Sequence, residues 1–447
     1  MSKYILVLIL FFSHLVSGMA QAGFTDKNEA KNRLNDTIKL GKWIEYLDKN
    51  GDATKDTAKA PFFSLTEYKD GKPFGIVRAY YKSGKLYRER NYTNGLLNGV
   101  VKIYYESGKL KGTAPFTDGE KNGEVKVYYE SGSLMILTPY KDDKTNGVAK
   151  EYYENGQLLS EAPYNYGKAN GLVKAYYENG KLKSEIFFTD ALKNGEAKEY
   201  YENGELKKEA TYSNDSLNGI VKEYYQNSVM RSESIYIHGK ANGIKKEYYA
   251  SGKTQLETFF SNGKKTGLEK AYYENGSLKK EIPFTNDLIN GNVKEYYENA
   301  AINEETPYIN DKINGVAKEY YASGQLQDES PYTDSAKNGM EKEYYETGKL
   351  YRETPYTNGK RNGIKKIYYG TGSVFNETPF TNDKVNDTVK YYYQTGIVQD
   401  EYPMTNDQLN GTRKQYYESG KLKTETIYKD GNEVTTKNYD ENGNEVK

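Results

Sequence analysis

Short runs of Val, Ile, Leu and Tyr alternate with polar residues along most of the chain, and this alternation returns every 24 residues. One copy, residues 98 to 121, reads NGVVKIYYESGKLKGTAPFTDGEK. The second member of a Tyr-Tyr pair recurs in step from Tyr81 to Tyr417, fifteen times in all. A constant period of about 20 to 50 residues is typical of an array of supersecondary units. We therefore expect one continuous array and not the separate domains that 447 residues would otherwise suggest.

Each copy contains two β-rich runs, residues 100 to 106 and residues 109 to 116 in the copy above. Ser107-Gly108 separates them, and other copies carry Asn-Gly at this place. Such a pair favours a two-residue hairpin loop in which both residues have positive φ. The pattern thus predicts an all-β fold: an elongated, twisted, single-layer antiparallel meander of stacked 24-residue hairpins.

Polar residues rich in Asn, Asp and Gly, such as residues 285 to 291, predict a longer loop that leads to the next hairpin. Pro precedes the last aromatic residue of many copies, as at Pro283, and we expect strand pairing to end there because Pro cannot donate to a ladder. Ser228 and Ala300 replace the hairpin glycine, and Asp387 replaces the loop glycine. A change of turn type is open at these positions because a side chain is strained at positive φ.

A two-residue loop sets the register of the hairpin. Tyr105 would then lie opposite Leu110, on the same face as the last aromatic residue, while Tyr104 would share the other face with charged residues. A column of Lys would lie opposite a column of Glu and form a structural ladder, with each pair stabilising the register by about 0.2–1 kcal/mol. The predicted ladder pairs are Lys222 with Glu233, Lys318 with Glu329, and Lys342 with Glu353.

The ends of the chain differ from the array. Residues 1 to 22 predict a signal peptide, with Lys3, an apolar run too short to span a bilayer, and a small-residue cleavage site at 20 to 22. Residues 23 to 74 predict a leader and an imperfect repeat, in which Trp43, the single Trp, would close the open end. Residues 75 to 428 form the regular array of about fifteen repeats, and residues 429 to 447 a shortened terminal repeat. We expect an exported protein of the periplasm, cell surface or medium.

The consensus NGxxKxYYExGxLxxExxY resembles the MORN (membrane occupation and recognition nexus) repeat, over about residues 41 to 447. It is more similar to a bacterial variant found in proteins labelled as antitoxins of toxin–antitoxin systems. The resemblance implies a β-hairpin array that acts as a scaffold in protein contacts, with lipid affinity in some members. An antitoxin or immunity role is therefore one alternative, although a cytoplasmic antidote would not need a signal peptide.

Composition narrows the function classes. The chain has no Cys and two His, and a mature chain starting at residue 23 would retain only His238, in a loop, so we expect no enzyme and no cofactor. The Asn-Asp loops offer one carboxylate each, too few for calcium, and predict turns instead. Balanced charge argues against nucleic acid and against lipid contact, and no later segment could span a membrane.

An unknown protein partner is therefore the favoured ligand of the tyrosine-rich array. A glycan or cell-wall polymer stays open, because regular aromatic rows can stack sugars. The candidate binding rows are Tyr104, Tyr105, Tyr128, Tyr129, Tyr152, Tyr153, Tyr176 and Tyr177.

Overall fold

The computed structural model describes residues 26–35 and 37–446 of the chain. Within these ranges the protein is all-β, and its one helical element is a 3-10 turn, Lys27–Glu29. None of the described helical residues forms a segment long and apolar enough to cross a membrane. The predicted signal peptide, residues 1 to 22, lies outside the described residues. The chain divides into two compact units, which meet in sequence between Ser228 and Val229.

The N-terminal unit is an open antiparallel meander. Its strands are β1 (Arg33–Asn35), β2 (Ile38–Leu47), β3 (Phe62–Lys69), β4 (Lys72–Pro73), β5 (Gly75–Tyr81), β6 (Leu86–Thr93), β7 (Leu96–Leu97), β8 (Gly99–Tyr104), β9 (Leu110–Thr117), β10 (Glu120–Lys121), β11 (Gly123–Tyr128), β12 (Leu134–Lys141), β13 (Lys144–Thr145), β14 (Gly147–Tyr152), β15 (Leu158–Asn165), β16 (Lys168–Ala169), β17 (Gly171–Tyr176), β18 (Leu182–Thr189), β19 (Leu192–Tyr200), β20 (Leu206–Ser213) and β21 (Ser216–Tyr224).

The C-terminal unit is built in the same way. Its strands are β22 (Met230–Ile237), β23 (Lys240–Ala241), β24 (Gly243–Tyr248), β25 (Thr254–Ser261), β26 (Lys264–Lys265), β27 (Gly267–Tyr272), β28 (Leu278–Thr285), β29 (Leu288–Ile289), β30 (Gly291–Tyr296), β31 (Ile302–Ile309), β32 (Lys312–Ile313), β33 (Gly315–Tyr320), β34 (Leu326–Thr333), β35 (Ala336–Lys337), β36 (Gly339–Tyr344), β37 (Leu350–Thr357), β38 (Lys360–Arg361), β39 (Gly363–Tyr368), β40 (Val374–Thr381), β41 (Lys384–Val385), β42 (Asp387–Tyr392), β43 (Val398–Thr405), β44 (Gln408–Leu409), β45 (Gly411–Tyr416), β46 (Leu422–Lys429), β47 (Asn432–Tyr439) and β48 (Glu445–Val446).

One repeat consists of a first strand, a second strand and a two-residue short strand, as in β8, β9 and β10. The first strand β8 pairs with the second strand β9, which pairs in turn with the first strand of the next repeat, β11. The short strand β10 also pairs with β9 and fills the remainder of that edge. The predicted all-β meander of hairpins is confirmed in each unit.

The hairpin turn differs from the predicted two-residue loop. The Tyr105 N–H donates to the Lys109 carbonyl at 2.8 Å, and the Gly108 N–H donates to the Tyr105 carbonyl at 2.8 Å. Three residues therefore lie in the loop, and of these Gly108 alone has a positive φ, of 92°. The prediction that both turn residues need φ > 0 was wrong. A type I turn followed by one left-handed glycine is a common three-residue hairpin loop.

A β-bulge restores the register that the longer loop would have shifted. Tyr104 pairs with Leu110, whereas Ile103 pairs with Gly112, so Lys111 is the extra residue on the second strand. The predicted pairing of Tyr105 with Leu110 was therefore wrong. Beyond the bulge the pairing is Lys102 with Thr113, as a two-residue loop would give. The two departures shift the register by one residue in opposite directions and cancel.

The region predicted as a long loop contains a tight turn. Asn286 and Asp287, with φ of 51° and 73°, connect β28 directly to the short strand β29. Two adjacent residues with positive φ are typical of a type I′ hairpin. The Asp287 N–H donates to the Lys265 carbonyl at 3.0 Å, and Asp287 Oδ1 accepts from the Lys265 N–H at 2.8 Å. Each such turn is thus fastened to the short strand of the preceding repeat.

Proline does not end the pairing, contrary to the sequence prediction. Pro283 is paired with Leu268, and β28 continues through Thr285. The Pro283 carbonyl accepts from the Asn290 N–H at 2.9 Å. The N–H and C=O of a strand residue point the same way. Pro283, which has no N–H, therefore lacks a donor only on the side where the chain bulges between β29 and β30. The ladder therefore loses no hydrogen bond at this position.

The turn survives where alanine replaces its glycine. Ala300 has a φ of 67°, its N–H donates to the Tyr297 carbonyl at 2.9 Å, and the Tyr297 N–H donates to the Ala301 carbonyl at 2.9 Å. These are the hydrogen bonds of the glycine-containing turns. No change of turn type occurs here, and Ala300 instead carries the strain of a left-handed conformation.

Side chains alternate between two faces of each sheet. On the inner face, Val101, Ala114, Phe116 and Val125 form a buried cluster. The opposite face, which we call the ladder face, carries Lys102 and its equivalents. The last aromatic residue of a repeat, such as Phe116, therefore lies on the face opposite the charged residues, as the alternation predicted.

Candidate interaction surface

A row of alternating Lys and Glu runs across the ladder face of each unit, and we call it the charge row. In the C-terminal unit Glu281 pairs with Lys294, which also pairs with Glu305, which pairs in turn with Lys318. Each inner member thus has a neighbour of opposite charge on both sides. The sequence predicted a ladder of Lys–Glu pairs within hairpins, and the sheet adds a second pairing between neighbouring hairpins.

The predicted ladder residues occupy this row. Lys318 is the Cα partner of Glu329. Lys342 is the partner of both Glu329 and Glu353, and its ammonium lies 3.4 Å from Oε1 of Glu329. These contacts lie entirely within the C-terminal unit.

The third predicted pair falls on two units. Lys222 belongs to the N-terminal unit, where its ammonium lies 3.0 Å from Glu209. Glu233 belongs to the C-terminal unit, where it pairs with Lys246 and accepts a 3.1 Å hydrogen bond from the Tyr248 hydroxyl. Each of the two residues is therefore part of the charge row of its own unit.

Contacts within the charge row shift the pKa values of its own side chains. Lys294 Nζ lies 2.9 Å from Oε1 of Glu305. The hydrogen bond from Lys294 lowers the pKa of Glu305, and the same bond raises the pKa of Lys294. Both groups are therefore held in their charged forms. Because both side chains keep part of their contact with solvent, we expect each ion pair to contribute only about 0–1 kcal/mol.

The first tyrosine of most Tyr-Tyr pairs donates a hydrogen bond to a Glu of the charge row. Its hydroxyl donates to the Glu that lies fifteen residues earlier, as Tyr104 does to Glu89 at 3.2 Å. Two repeats carry Thr113 and Leu137 in place of that Glu. The same bond occurs for Tyr176, Tyr200, Tyr224, Tyr248, Tyr272, Tyr296, Tyr320, Tyr344, Tyr368, Tyr392 and Tyr416.

The second tyrosine connects one repeat to the next. The Tyr105 hydroxyl donates to the backbone carbonyl of Tyr128 at 2.7 Å. The equivalent bond, which we call the forward clasp, is made by Tyr81, Tyr129, Tyr153, Tyr177, Tyr201, Tyr249, Tyr273, Tyr297, Tyr321, Tyr345, Tyr369, Tyr393 and Tyr417. Six of the eight tyrosines of the candidate binding rows thus have hydroxyls bonded within the protein. The other two are Tyr128 and Tyr152, and in each case the preceding repeat lacks the Glu.

The sequence analysis missed an exposed apolar row beside the charge row. Val100 lies two residues before Lys102, hence on the ladder face, and is 48% exposed. Its strand partner is Pro115. We call the residues at this second position of the first strand the aliphatic row; its exposed apolar members are Val100, Val148, Leu172, Ile220, Ile244, Leu268, Val316, Met340 and Ile364. The signal was present in the sequence as an apolar residue two places before most of these Lys residues; the polar exceptions are Glu124, Glu196, Asn292, Thr388 and Thr412.

Two further features bear on chemistry. Oxygens of Asp328, Glu341 and Glu343 lie within 4.8 Å of one another on the inner face. Lys337 is paired with Glu341 and Arg352 with Glu343, so cationic side chains already compensate two of the three carboxylates. His238 lies exposed in the turn after β22 at a φ of 49°. These features assign neither a metal nor a catalytic group.

Comparison with known proteins gives one family match. A family model described as "MORN repeat variant" matches residues 75–94, 97–118, 121–142, 145–166, 169–190, 193–214, 217–238, 241–262, 265–286, 313–334, 337–358 and 409–430. No curated protein matches the chain.

Solved structures give distant similarities. The crystal structures of TcdB2-TccC3-Cdc42 and TcdB2-TccC3 and a pore structure of the Photorhabdus luminescens Tc holotoxin are each 12% identical, with a TM-score of 0.14 and 89% of this chain covered. The chain spans about a quarter of the length of those chains, which is covered to 25%, 26% and 25% respectively.

Proposed function

The chain belongs to the MORN repeat variant family, and from this premise we propose that it is a non-catalytic, exported scaffold that binds a protein partner through the aliphatic row. The family supports a repeat scaffold for protein interaction. The aliphatic row is the observation that carries the proposal. Soluble proteins seldom expose a series of apolar side chains on one face without a use for it, and a polar margin beside such a series is typical of an interface.

The aliphatic row offers a place for an anchoring side chain. In the C-terminal unit, Ile244, Phe259 and Leu268 line a shallow depression of about 370 Å³ on the ladder face. Ile244 and Phe259 are strand partners, and both are more than 40% exposed. Glu257 and Lys270, two charge-row residues, border the same depression. An apolar side chain of a partner would fill it while polar groups of the partner met the charges at its rim.

The tyrosine rows give less support to a glycan-binding function. A sugar-stacking ring uses its open face, and its hydroxyl commonly bonds the ligand. Here the hydroxyls of Tyr105, Tyr129, Tyr153 and Tyr177 are bonded to backbone carbonyls of the following repeat. Their regular spacing is accounted for by the forward clasp. We therefore propose the aliphatic row, and not the tyrosine rows, as the surface that contacts the partner.

Export to the cell envelope or beyond is part of the proposal and rests on the sequence of residues 1 to 22. A partner would accordingly be a protein of the bacterial envelope, cell surface or surroundings. An antitoxin or immunity role would require a partner in the cytoplasm and is an alternative to this proposal.

The decisive experiment compares partner capture by the full chain and by a polar variant of the aliphatic row. The variant is Ile244→Thr, Leu268→Thr and Ile364→Thr, and folding should persist because the chain itself has Asn292 and Thr388 at equivalent positions. Crosslinking in native envelope extracts should recover a partner protein with the full chain. The amount of that protein recovered with the variant should be lower by about tenfold.

A matched control keeps the surface polar at one of these positions. Asn292→Thr exchanges one polar residue for another and should capture the same protein as the full chain. Equal capture by the triple variant would contradict the aliphatic row as the interface. Co-sedimentation of the purified full chain with cell-wall polysaccharide, unaffected by the triple variant, would favour the glycan alternative instead.

A further inference from the structure

The charge row of the N-terminal unit is interrupted in two successive repeats. Thr113 and Leu137 occupy the position at which the other thirteen repeats carry Glu. Lys126 therefore has neutral partners on both neighbouring strands, Thr113 on β9 and Leu137 on β12. We call the stretch of the row from Lys102 to Lys150 the gap. It lacks two successive carboxylates.

Three lysines follow one another along the gap without a Glu of the charge row between them. Lys102 keeps such a partner on one side only, Glu89, and Lys150 likewise keeps only Glu161. Glu89 is already engaged, because Arg78 Nε lies 3.0 Å from its Oε1. Neighbouring strands lie about 4.8 Å apart, so successive lysines of the gap are about 10 Å apart.

One acidic side chain partly compensates the gap. Glu124 occupies the aliphatic-row position of the middle repeat, and its Oε2 lies 3.0 Å from the ammonium of Lys126. The hydrogen bond to Glu124 raises the pKa of Lys126. Within the gap, the charge row and the aliphatic row together therefore carry three ammonium groups and one carboxylate.

Two tyrosine hydroxyls beside the gap lack their usual acceptor. A regular first tyrosine donates to the Glu fifteen residues earlier, as Tyr176 does at 3.0 Å. The residue at that distance from Tyr128 is Thr113, and from Tyr152 it is Leu137. Neither hydroxyl therefore has the carboxylate that a regular repeat provides.

Regular repeats show which group these donors bind. Glu209 accepts a 2.9 Å hydrogen bond from the Tyr224 hydroxyl and lies 3.0 Å from the ammonium of Lys222. Although burial opposes it, the hydrogen bonds from Lys222 and Tyr224 lower the pKa of Glu209. One carboxylate thus engages a lysine and a tyrosine together. In the gap the same kinds of donor are present, and the chain supplies no carboxylate to the row.

We propose that the gap binds an acidic segment of the protein partner, with one carboxylate of that segment above Thr113 and a second above Leu137. The two positions are two strands, hence about 10 Å, apart. Each carboxylate lies between two lysines of the gap and accepts a charge-assisted hydrogen bond in the place of the missing Glu.

This proposal rests on the scaffold function above and specifies the charge of the segment that the N-terminal unit contacts. Val100 and Val148, two exposed members of the aliphatic row, lie beside the gap and offer apolar contacts to the same segment. Carboxylates of the chain itself fill the equivalent positions elsewhere, which favours an acidic protein segment. The balanced charge of the whole chain gives little attraction for a nucleic acid.

The gap can be closed with the consensus of the chain itself. Thr113→Glu combined with Leu137→Glu restores the regular row and should fold, because thirteen repeats already carry Glu at this position. The probe is a short, fluorescently labelled oligo-glutamate peptide, and its anisotropy is measured at constant ionic strength. The full chain should bind it saturably, and the closed variant more weakly by about tenfold. A neutral peptide of alternating glycine and serine should not bind.

The control variant adds the same charge to the ladder face of the other unit. Thr388→Glu combined with Thr412→Glu places two carboxylates at aliphatic-row positions, where Glu124 and Glu196 show that the repeat accepts Glu. This variant should bind the oligo-glutamate peptide as the full chain does. The comparison separates closure of the gap from a change in net charge.

Two further variants test the donors of the gap. Glu124→Gln releases Lys126 from its ion pair and should tighten binding by up to about fivefold, the equivalent of one exposed ion pair. Tyr128→Phe combined with Tyr152→Phe removes both hydroxyls without changing the charge and should weaken binding.

The proposal is overturned if the full chain shows no saturable binding of oligo-glutamate, or if the closed variant binds it with unchanged affinity. An equal loss in the control variant would attribute binding to net charge and would also overturn it. So would binding of a short single-stranded DNA in preference to the peptide. If the full chain and the closed variant capture the same envelope protein equally, the scaffold function stands and the acidic segment is rejected.

Discussion

The hydroxyl of Tyr344 donates a 2.8 Å hydrogen bond to Oε1 of Glu329. Lys342 lies 3.4 Å from the same oxygen, so a phenol and an ammonium share one carboxylate atom. Burial first, and then the hydrogen bond to Glu329, raise the pKa of Tyr344 to about 12. The same causes raise the pKa of Tyr200, Tyr248, Tyr296, Tyr368, Tyr392 and Tyr416 to about 12.

These tyrosines predict a loss of stability in alkali. Their folded pKa values exceed the ordinary value of 10.0, so above pH 10 the unfolded chain releases protons that the folded chain retains. Their contribution is complete below about pH 10 and disappears as the pH rises through about 12. Urea unfolding at intervals across this range should show a falling midpoint. Tyr344→Phe should make the fall shallower, because one of the groups that link stability to pH is removed. Tyr128→Phe is the control and should change the fall less, because the preceding repeat has Thr113 in place of the acceptor Glu.

The continuity of the charge row predicts the outcome of a charge exchange. Lys294→Glu alone faces two Glu neighbours, and Glu305→Lys alone faces two Lys neighbours. The double exchange restores the central pair but sets residue 294 against Glu281 and residue 305 against Lys318. It should therefore destabilise about as much as either single change, and less than their sum, with each new repulsion costing about 0–1 kcal/mol.

Urea unfolding of the four proteins measures this cycle. An isolated pair would instead make the double exchange milder than both single changes. That result would show that the ion pairs act one by one and do not form a row.

Ala300 predicts a stabilising substitution. It retains the turn at a φ of 67°, which costs a residue with a side chain about 1–2 kcal/mol. Ala300→Gly should therefore stabilise the hairpin by about 1 kcal/mol. Gly276, at φ 97° in another hairpin turn, has open space where an added methyl group would lie, so Gly276→Ala should destabilise by a similar amount through the backbone alone. Amide exchange of each hairpin, followed by mass spectrometry, reports the local change.

The repeat predicts tolerance to a deletion of one whole period. Removal of residues 194 to 217 joins Lys193 to Asn218 in phase. Tyr177 then meets the carbonyl of Tyr224 in place of that of Tyr200, so the forward clasp is preserved. Circular dichroism should show an intact sheet, with stability lower by about one nearest-neighbour contribution.

A deletion of half a period is the control. Removing residues 194 to 205 should disrupt the order of strands and with it the cooperative unfolding transition. If the whole-period variant unfolds as readily as the half-period variant, equivalent repeats are not interchangeable in the array.

The proposed export of the protein predicts the mass of its mature form. Because an apolar run precedes small residues at 20 and 22, we expect cleavage after Ala22 and a mature chain that begins at Gly23. Intact-mass measurement of protein from the native cell should lack residues 1 to 22, and fractionation should place it outside the cytoplasm. A cytoplasmic protein that retains these residues would contradict export.

The sequence predicted the period, the hairpin and the outer register, since each depends on a local pattern repeated many times. It could not predict the turn, because two different turns give the same register in the rest of the hairpin. The shift from the three-residue loop at Gly108 is cancelled by the bulge at Lys111. The tyrosines were interpreted as a binding surface because the sequence does not show their hydrogen-bond acceptors. These acceptors are backbone carbonyls of the next repeat or a Glu fifteen residues away. The sequence also gave no sign that Arg88 and Arg90 are buried, at 6% and 9% exposed, because two cations do not stand out in a chain rich in charged residues.

The forward clasp also gives the array a direction. Tyr105 donates from an earlier repeat, and Tyr128 accepts in a later one. A chain that leaves the ribosome or an export channel N-terminus first thus presents a positioned hydroxyl before its acceptor has emerged. Each new hairpin meets a finished edge with a donor in place, so folding can proceed in the order of synthesis, and the growing end is always the C-terminal one.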